Sequence, residues 1–124
     1  MTEEDKMEAA DPKKNRSEER ILSFLGLATK AQKTVSGTDA VLEAIFRERA
    51  CLVLVAGDSS EGTAEKISFH AGQAGVPYCR FSTRENLGKF LGKTDRAVAC
   101  VTDEGFAARL VELLKDGCYE VKNA

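Results

Sequence analysis

Five basic side chains, Arg80, Arg84, Lys89, Lys93 and Arg96, fall between Tyr78 and Val98, against two acidic ones, Glu85 and Asp95. That local excess of three positive charges sits in a chain whose formal net charge is −2. Lys30 and Lys33 add a second basic pair just before Gly37. Lysine and arginine neutralise phosphates. A glycine turn lets backbone come close to a ligand, and a helix opening beyond it offers free N–H groups to an anion. The chemistry these residues suit is phosphate binding on a compact surface. The overall charge excludes a strongly basic nucleic-acid coat protein, but not a local basic patch.

Residues for covalent or acid–base catalysis are sparse. His70 is the single histidine. It falls in a helical stretch with no nucleophile motif beside it, so it reads as a surface or boundary residue. Asp58 and Asp103 each follow a strand pattern, where aspartate usually caps a helix or makes a turn. Neither a G-x-G-x-x-G after a strand nor a phosphate-loop motif occurs. Cys51, Cys79, Cys100 and Cys118 lie 28, 21 and 18 residues apart, unlike the close pairs of a zinc site. Three of them sit in apolar runs, as buried reduced thiols would. The chain is expected to be no enzyme, with no catalytic residues, no metal and no cofactor.

The elements that must position the basic residues follow from periodicity. Residues 1–16 hold five acidic and four basic side chains and few apolar ones. They read as a disordered polar tail, because they cannot bury enough surface to offset ordering entropy. Residues 17–124 form one domain, and removing the tail leaves them nearly neutral. Ser17 can cap a first helix with Ile21, Leu22, Phe24, Leu25 and Ala28 on its inner face. Lys33–Ser36 is a short strand, Gly37 a turn, and Thr38 opens a second helix. Cys51–Ala56 and Ala97–Thr102 are continuous apolar runs of strand length, expected where both sheet faces are covered. A third helix between them ends at Gly75, with Pro77 beyond it. Tyr78–Phe81 is another strand. Ser82 to Glu85 matches a capping box for a fourth helix ending near Gly92. Asp103 caps a last helix that stops near Gly117. The alternation predicts an α/β fold: a three-layer α-β-α sandwich around a small mixed four-stranded sheet. No apolar run approaches a membrane span, and the first fifteen residues lack a secretory signal pattern, so a cytoplasmic location is expected.

In this order the segments GLATKAQKTVSGTDAVLEAI, CLVLVAGDSS, GVPYCRF, ENLGKFLGK and AVACVTDEGFA resemble the L7Ae/L30e ribosomal-protein superfamily, most closely its small bacterial YlxQ-like branch. The resemblance runs from about Ile21 to Leu114. It implies the α-β-α sandwich and RNA as partner, often a kink-turn, with the second helix's N-terminus against sheared G·A pairs. A loop after the fourth helix covers a flipped nucleotide in such proteins. Carried over, the family's turn glycine is Gly37, the basic residue opening the fourth helix is Arg84, and Gly92, Lys93 and Thr94 match the covering loop. The chain departs from the pattern at Asp39 and Ala40, where many members carry Asn or Lys and then Glu or Gln, and at Glu43, where a Lys is usual. Ser60 stands where an acidic residue often touches the bulged base. A lost base contact weakens discrimination by about 1–3 kcal/mol.

Together these readings point to a non-enzymatic, cytoplasmic ribonucleoprotein component binding structured ribosomal or other non-coding RNA. A ribosomal or translation-factor protein is a further expected partner. The expected RNA-binding residues are Lys33, Ser36, Gly37, Thr38, Asp39, Arg84, Lys89, Lys93 and Thr94. The near-neutral charge and the acidic Asp39 and Glu43 leave a second reading open, a protein-interaction module on the same fold. All of this requires the stretches around 33–40 and 84–94 to meet in one cationic ledge.

Overall fold

The computed structural model describes residues 12–124. Their elements, in chain order, are α1 (Pro12–Lys30), β1 (Thr34–Ser36), α2 (Thr38–Phe46), β2 (Leu52–Val55), α3 (Glu61–Ala74), β3 (Tyr78–Arg80), α4 (Arg84–Phe90), β4 (Val98–Val101), α5 (Glu104–Asp116) and β5 (Val121–Lys122). The strands form one mixed sheet in the order β1-β4-β2-β3-β5. Only β2 and β3 run parallel; β4 is antiparallel to both β1 and β2, and β5 is antiparallel to β3.

The apolar strand runs are explained by what covers each face. In β2, Leu52 and Leu54 point into a core shared with Ile21, Leu25, Leu87, Leu110 and Leu114. Val53 and Val55 point the other way, against Val41, Ile45 and Ile67. In β4, Ala99 and Val101 join the first core, and Val98 and Cys100 the second. Successive side chains alternate across a strand, so both sets must be apolar when both faces are buried. Helices α1, α4 and α5 form one outer layer and α2 and α3 the other, which is the expected sandwich.

The helix ends follow the cap residues. Ser60 accepts from the Thr63 N–H at 3.2 Å, and Gly75 takes the left-handed conformation with φ 71° after α3. Asp103 caps α5, accepting from the Phe106 N–H at 2.8 Å. Asp58 also serves an N-terminus, one distant in sequence: its Oδ1 accepts from the Arg84 N–H at 2.8 Å, at the start of α4.

Four expectations need correction. The first helix begins at Pro12, not at Ser17. Proline suits a first helical position, because its φ is preset and its missing N–H is not needed there. Ser17 instead lies inside α1 and meets α5: a Cβ on Gly117 would come within 2.8 Å of the Ser17 Cβ. Residues 12–16 of the expected polar tail are therefore helical, and residues 1–11 lie outside the described residues. Second, the cap of α4 is Thr83, accepting from the Asn86 N–H at 3.1 Å. Ser82 has φ 62°, outside the extended region an N-cap uses, and donates to Glu18 at 2.7 Å. Third, the sheet has five strands, not four. Val121 and Lys122 pair with Cys79 and Tyr78, and two residues are too few to show a period. Fourth, not every thiol is buried. Cys79 and Cys100 are, Cys51 is half-buried and Cys118 is exposed.

Burial pushes the Cys100 thiol up to about 12, well above its ordinary value. The reactive species is the thiolate, so Ellman's reagent at pH 8 should modify Cys118 in a fast phase and leave Cys100 unmodified until the chain unfolds. Cys118→Ser should remove the fast phase.

Candidate nucleic-acid interface

Strand β1 ends at the turn that matters most. The Gly37 N–H donates to the Val98 carbonyl at 3.0 Å, so the turn is pinned to the start of β4. Gly37 then takes φ 96° and ψ 148° and opens α2 without a side-chain cap. That conformation is essentially restricted to glycine. No atom lies within 4 Å of where a Cβ would stand, so backbone strain, not crowding, selects glycine here. The outward space is open for a ligand to approach.

The chain between α4 and β4 comes back to the same place. The Arg96 N–H donates to the Arg84 carbonyl at 3.0 Å. Its guanidinium spans two segments: Nε donates to Ser36 Oγ at 3.2 Å and Nη1 to the Asp95 carbonyl at 2.8 Å. Ser36, Ala40, Leu91, Lys93 and Arg96, with Gln32 at the end of α1, line a groove of about 410 Å³. The stretches 33–40 and 84–94 thus meet, in part, around this groove.

Not every expected residue joins it. Gly37, Thr38 and Asp39 follow Ser36 directly on the turn and first turn of α2, with Asp39 exposed. The Lys93 N–H donates to the Gly88 carbonyl at 2.7 Å, and Gly92 beside it has φ 74°. Thr94 is exposed in the same loop. Arg84 is close by but tied to Asp95 at 2.8 Å, so its charge is largely answered within the protein. Such a half-exposed pair is worth at most about 1 kcal/mol, and a phosphate can compete for it. Lys33 stands at the far end of β1, its carbonyl accepting from Thr102. Four residues of extended chain separate it from Gly37 by roughly 13 Å. Lys89 points elsewhere again: it lines a hollow between α1 and α4 with Glu18, Glu19 and Asn86. Ser60 is occupied as the cap of α3.

The residue missed by sequence reasoning is Arg96. It was visible as a member of the basic cluster, but nothing local showed that it reaches across to Ser36, 60 residues earlier. The loop carrying it is held by close packing on Gly88. A Cβ there would stand 2.5 Å from the Asp95 Cα and 2.7 Å from the Thr94 carbonyl oxygen. Gly88→Ala should displace the loop and lower stability by about 1–3 kcal/mol, as overpacking does. Urea denaturation measures the loss, and amide shifts confined to Lys93–Arg96 and their neighbours would mark the displaced loop.

Comparisons with known proteins bear on the family and the fold. Residues 19–111 match the family model described as the ribosomal protein L7Ae/L30e/S12e/Gadd45 family. The chain is 46% identical over 91 residues to the RNA-binding protein YlxQ of Bacillus subtilis strain 168, covering 73% of this chain and 91% of that one. It is 27% identical over 103 residues to the large ribosomal subunit protein eL8 of Cenarchaeum symbiosum, covering 82% of each. The fold superposes on the Giardia lamblia 15.5kD RNA binding protein with a TM-score of 0.72, at 19% identity, over 82% of this chain and 90% of that one.

Proposed function

This chain belongs to the ribosomal protein L7Ae/L30e/S12e/Gadd45 family, in its YlxQ-like branch, and from that membership we propose that it binds structured RNA through the groove beside the Gly37 turn. One observation carries the reading. Ser36, the residue before the Gly37 turn, lines one groove with Lys93 and Arg96 of the basic loop, beside the N-terminal end of α2. A glycine with nothing within 4 Å of its Cβ position admits a backbone or base edge, and two cations line the groove next to it.

The roles divide by chemistry. Lys93 and Arg96 neutralise phosphates, with Arg84 joining when a phosphate displaces Asp95. Arg96 is held by Ser36, so a planar guanidinium is already oriented before RNA arrives, which suits bidentate phosphate contact. Thr38 and Asp39 reach base edges; a carboxylate accepts from a guanine amino group. Ala40 offers no hydrogen bond, and Glu43 is engaged with Arg47 at 3.0 Å. Backbone shape and phosphates therefore outweigh readout of sheared G·A pairs. The target is a sharply bent structured RNA of the kink-turn-related kind, in the ribosomal or translation setting suggested by the eL8 relative.

Titrating ribosomal RNA fragments and a kink-turn duplex at several salt concentrations tests this. If about three to four phosphates are neutralised, log K against log salt should slope by about −2 to −4. Lys93→Glu and Arg96→Glu should each weaken binding by more than tenfold, and Lys93→Ala should flatten the slope by about 1. Salt-independent titration, or no binding at low salt, would sink the proposal.

A further inference from the structure

A second hollow lies at the other end of α2. It holds about 670 Å³, and Ile45, Phe46, His70, Val76 and Pro77 are among its lining residues. Three large apolar side chains among the described residues are exposed, and two flank this hollow: Phe46 at 64% and Phe69 at 61%. His70 joins them into one aromatic face, edge-on to Phe46 at 5.1 Å and to Phe69 at 5.3 Å. Contiguous exposed aromatic surface marks interaction sites more often than chance exposure does.

The two charged side chains that line the hollow have one sign, with Arg49 exposed between Glu48 and Ala50 but not lining it. Glu48 and Glu104 line the hollow, and among the described residues no lysine or arginine lines it. Helices α2 and α3 end there, at Phe46 and Ala74, and bring the negative ends of their dipoles, while α5 opens there at Glu104, whose carboxylate answers that helix's positive end. Arg47, next to Phe46, is tied to Glu43 at 3.0 Å. The half-buried Cys51 thiol, which also lines the hollow, is held above its ordinary value by burial first and then by Glu104 and Asp103.

We propose that this hollow docks a protein segment presenting an apolar side chain flanked by arginine or lysine. The apolar group fills the space beside Phe46 and Pro77. The cation lies over the exposed rings, where the aromatic face attracts it, and faces Glu48 and Glu104. RNA is disfavoured because its phosphates would meet this negative field. The chain's own first eleven residues carry five acidic side chains against one lysine, so they are repelled as well. A second copy packed face to face would oppose Glu48 and Glu104 with their own equivalents or each other. The nine residues of α2 set the hollow roughly 13 Å from the Gly37 turn, so both ligands fit at once.

The test begins with a random dodecapeptide display library selected against the full chain. Enriched peptides should pair an aromatic or aliphatic residue with Arg or Lys. A synthetic peptide of that consensus should lose at least tenfold in affinity on Phe46→Ser and on the double variant Glu48→Gln/Glu104→Gln. Both variants should still unfold cooperatively and keep their RNA affinity. Absence of a basic-apolar consensus overturns the proposal, as does equal binding to Phe46→Ser. Loss of RNA binding in a folded Phe46→Ser variant assigns the face to RNA. A dimer in sedimentation that Phe46→Ser disperses assigns it to a second copy. Neither outcome bears on the groove at Gly37, whose own variants report separately.

Discussion

Pairing of β4 on both of its edges is the constraint from which the rest follows. All four of its residues are buried, and it bonds to β1 on one side and β2 on the other. The register is fixed by the difference between its two faces. Ala99 and Val101 fit under α1 and α5, while Val98 and Cys100 fit under α2 and α3. A slip of one residue would exchange these sets and misfill both cores. With the register fixed, the Val98 carbonyl holds the Gly37 N–H, and Arg96, two residues earlier, is delivered to Ser36. The groove is thus a product of core packing, and Leu91 belongs to both.

The second support is the way α4 is locked to its surroundings. Asp58, from the loop after β2, receives the first N–H of α4. Gly88, within that helix, lets Thr94 and Asp95 lie against it closer than any side chain would allow. The Arg84 carbonyl and side chain engage Arg96 and Asp95. These contacts therefore connect the loop after β2, α4 and the loop that leads into β4. A loop so held presents Lys93 and Arg96 at little further entropy cost on binding, which is how preorganisation raises affinity.

What the sequence makes legible is what depends on local chemistry. The buried strands appear as apolar runs, Ser60, Asp103 and Gly75 act as the caps their residue types suggest, and Gly37 adopts a conformation other residues avoid. Contacts between distant segments are what local patterns miss. Nothing near Ser17 announces that Gly117 must pack on it, so the helix start is misplaced by the attraction of a good capping residue. Ser82 looks like a cap until Glu18, 64 residues away, is seen to hold its hydroxyl. At the site, Ser36 and Lys93 reach the groove as their neighbours suggest. Lys33 and Lys89 do not, because one lies a strand length away and the other projects from α4 toward α1. Linear proximity of like charges cannot distinguish these cases; the direction of each side chain decides them.

The acidic residues of α2 gain meaning from the helix as a whole. Asp39 lies in its first turn, where a negative charge favours the exposed N–H groups and stabilises the helix. The same charge would repel a phosphate brought to that end of the helix. Lys93 and Arg96, brought from another segment, add two positive charges at that end of the helix. At the opposite end no such import occurs: Glu43 neutralises Arg47, and Glu48 and Glu104 remain beside the carbonyl ends of α2 and α3. The helix therefore separates a groove lined by Lys93 and Arg96 from a hollow lined by Phe46, Glu48 and Glu104. An anion would find the first end favourable and the second unfavourable, and a cationic segment the reverse, along a single nine-residue element.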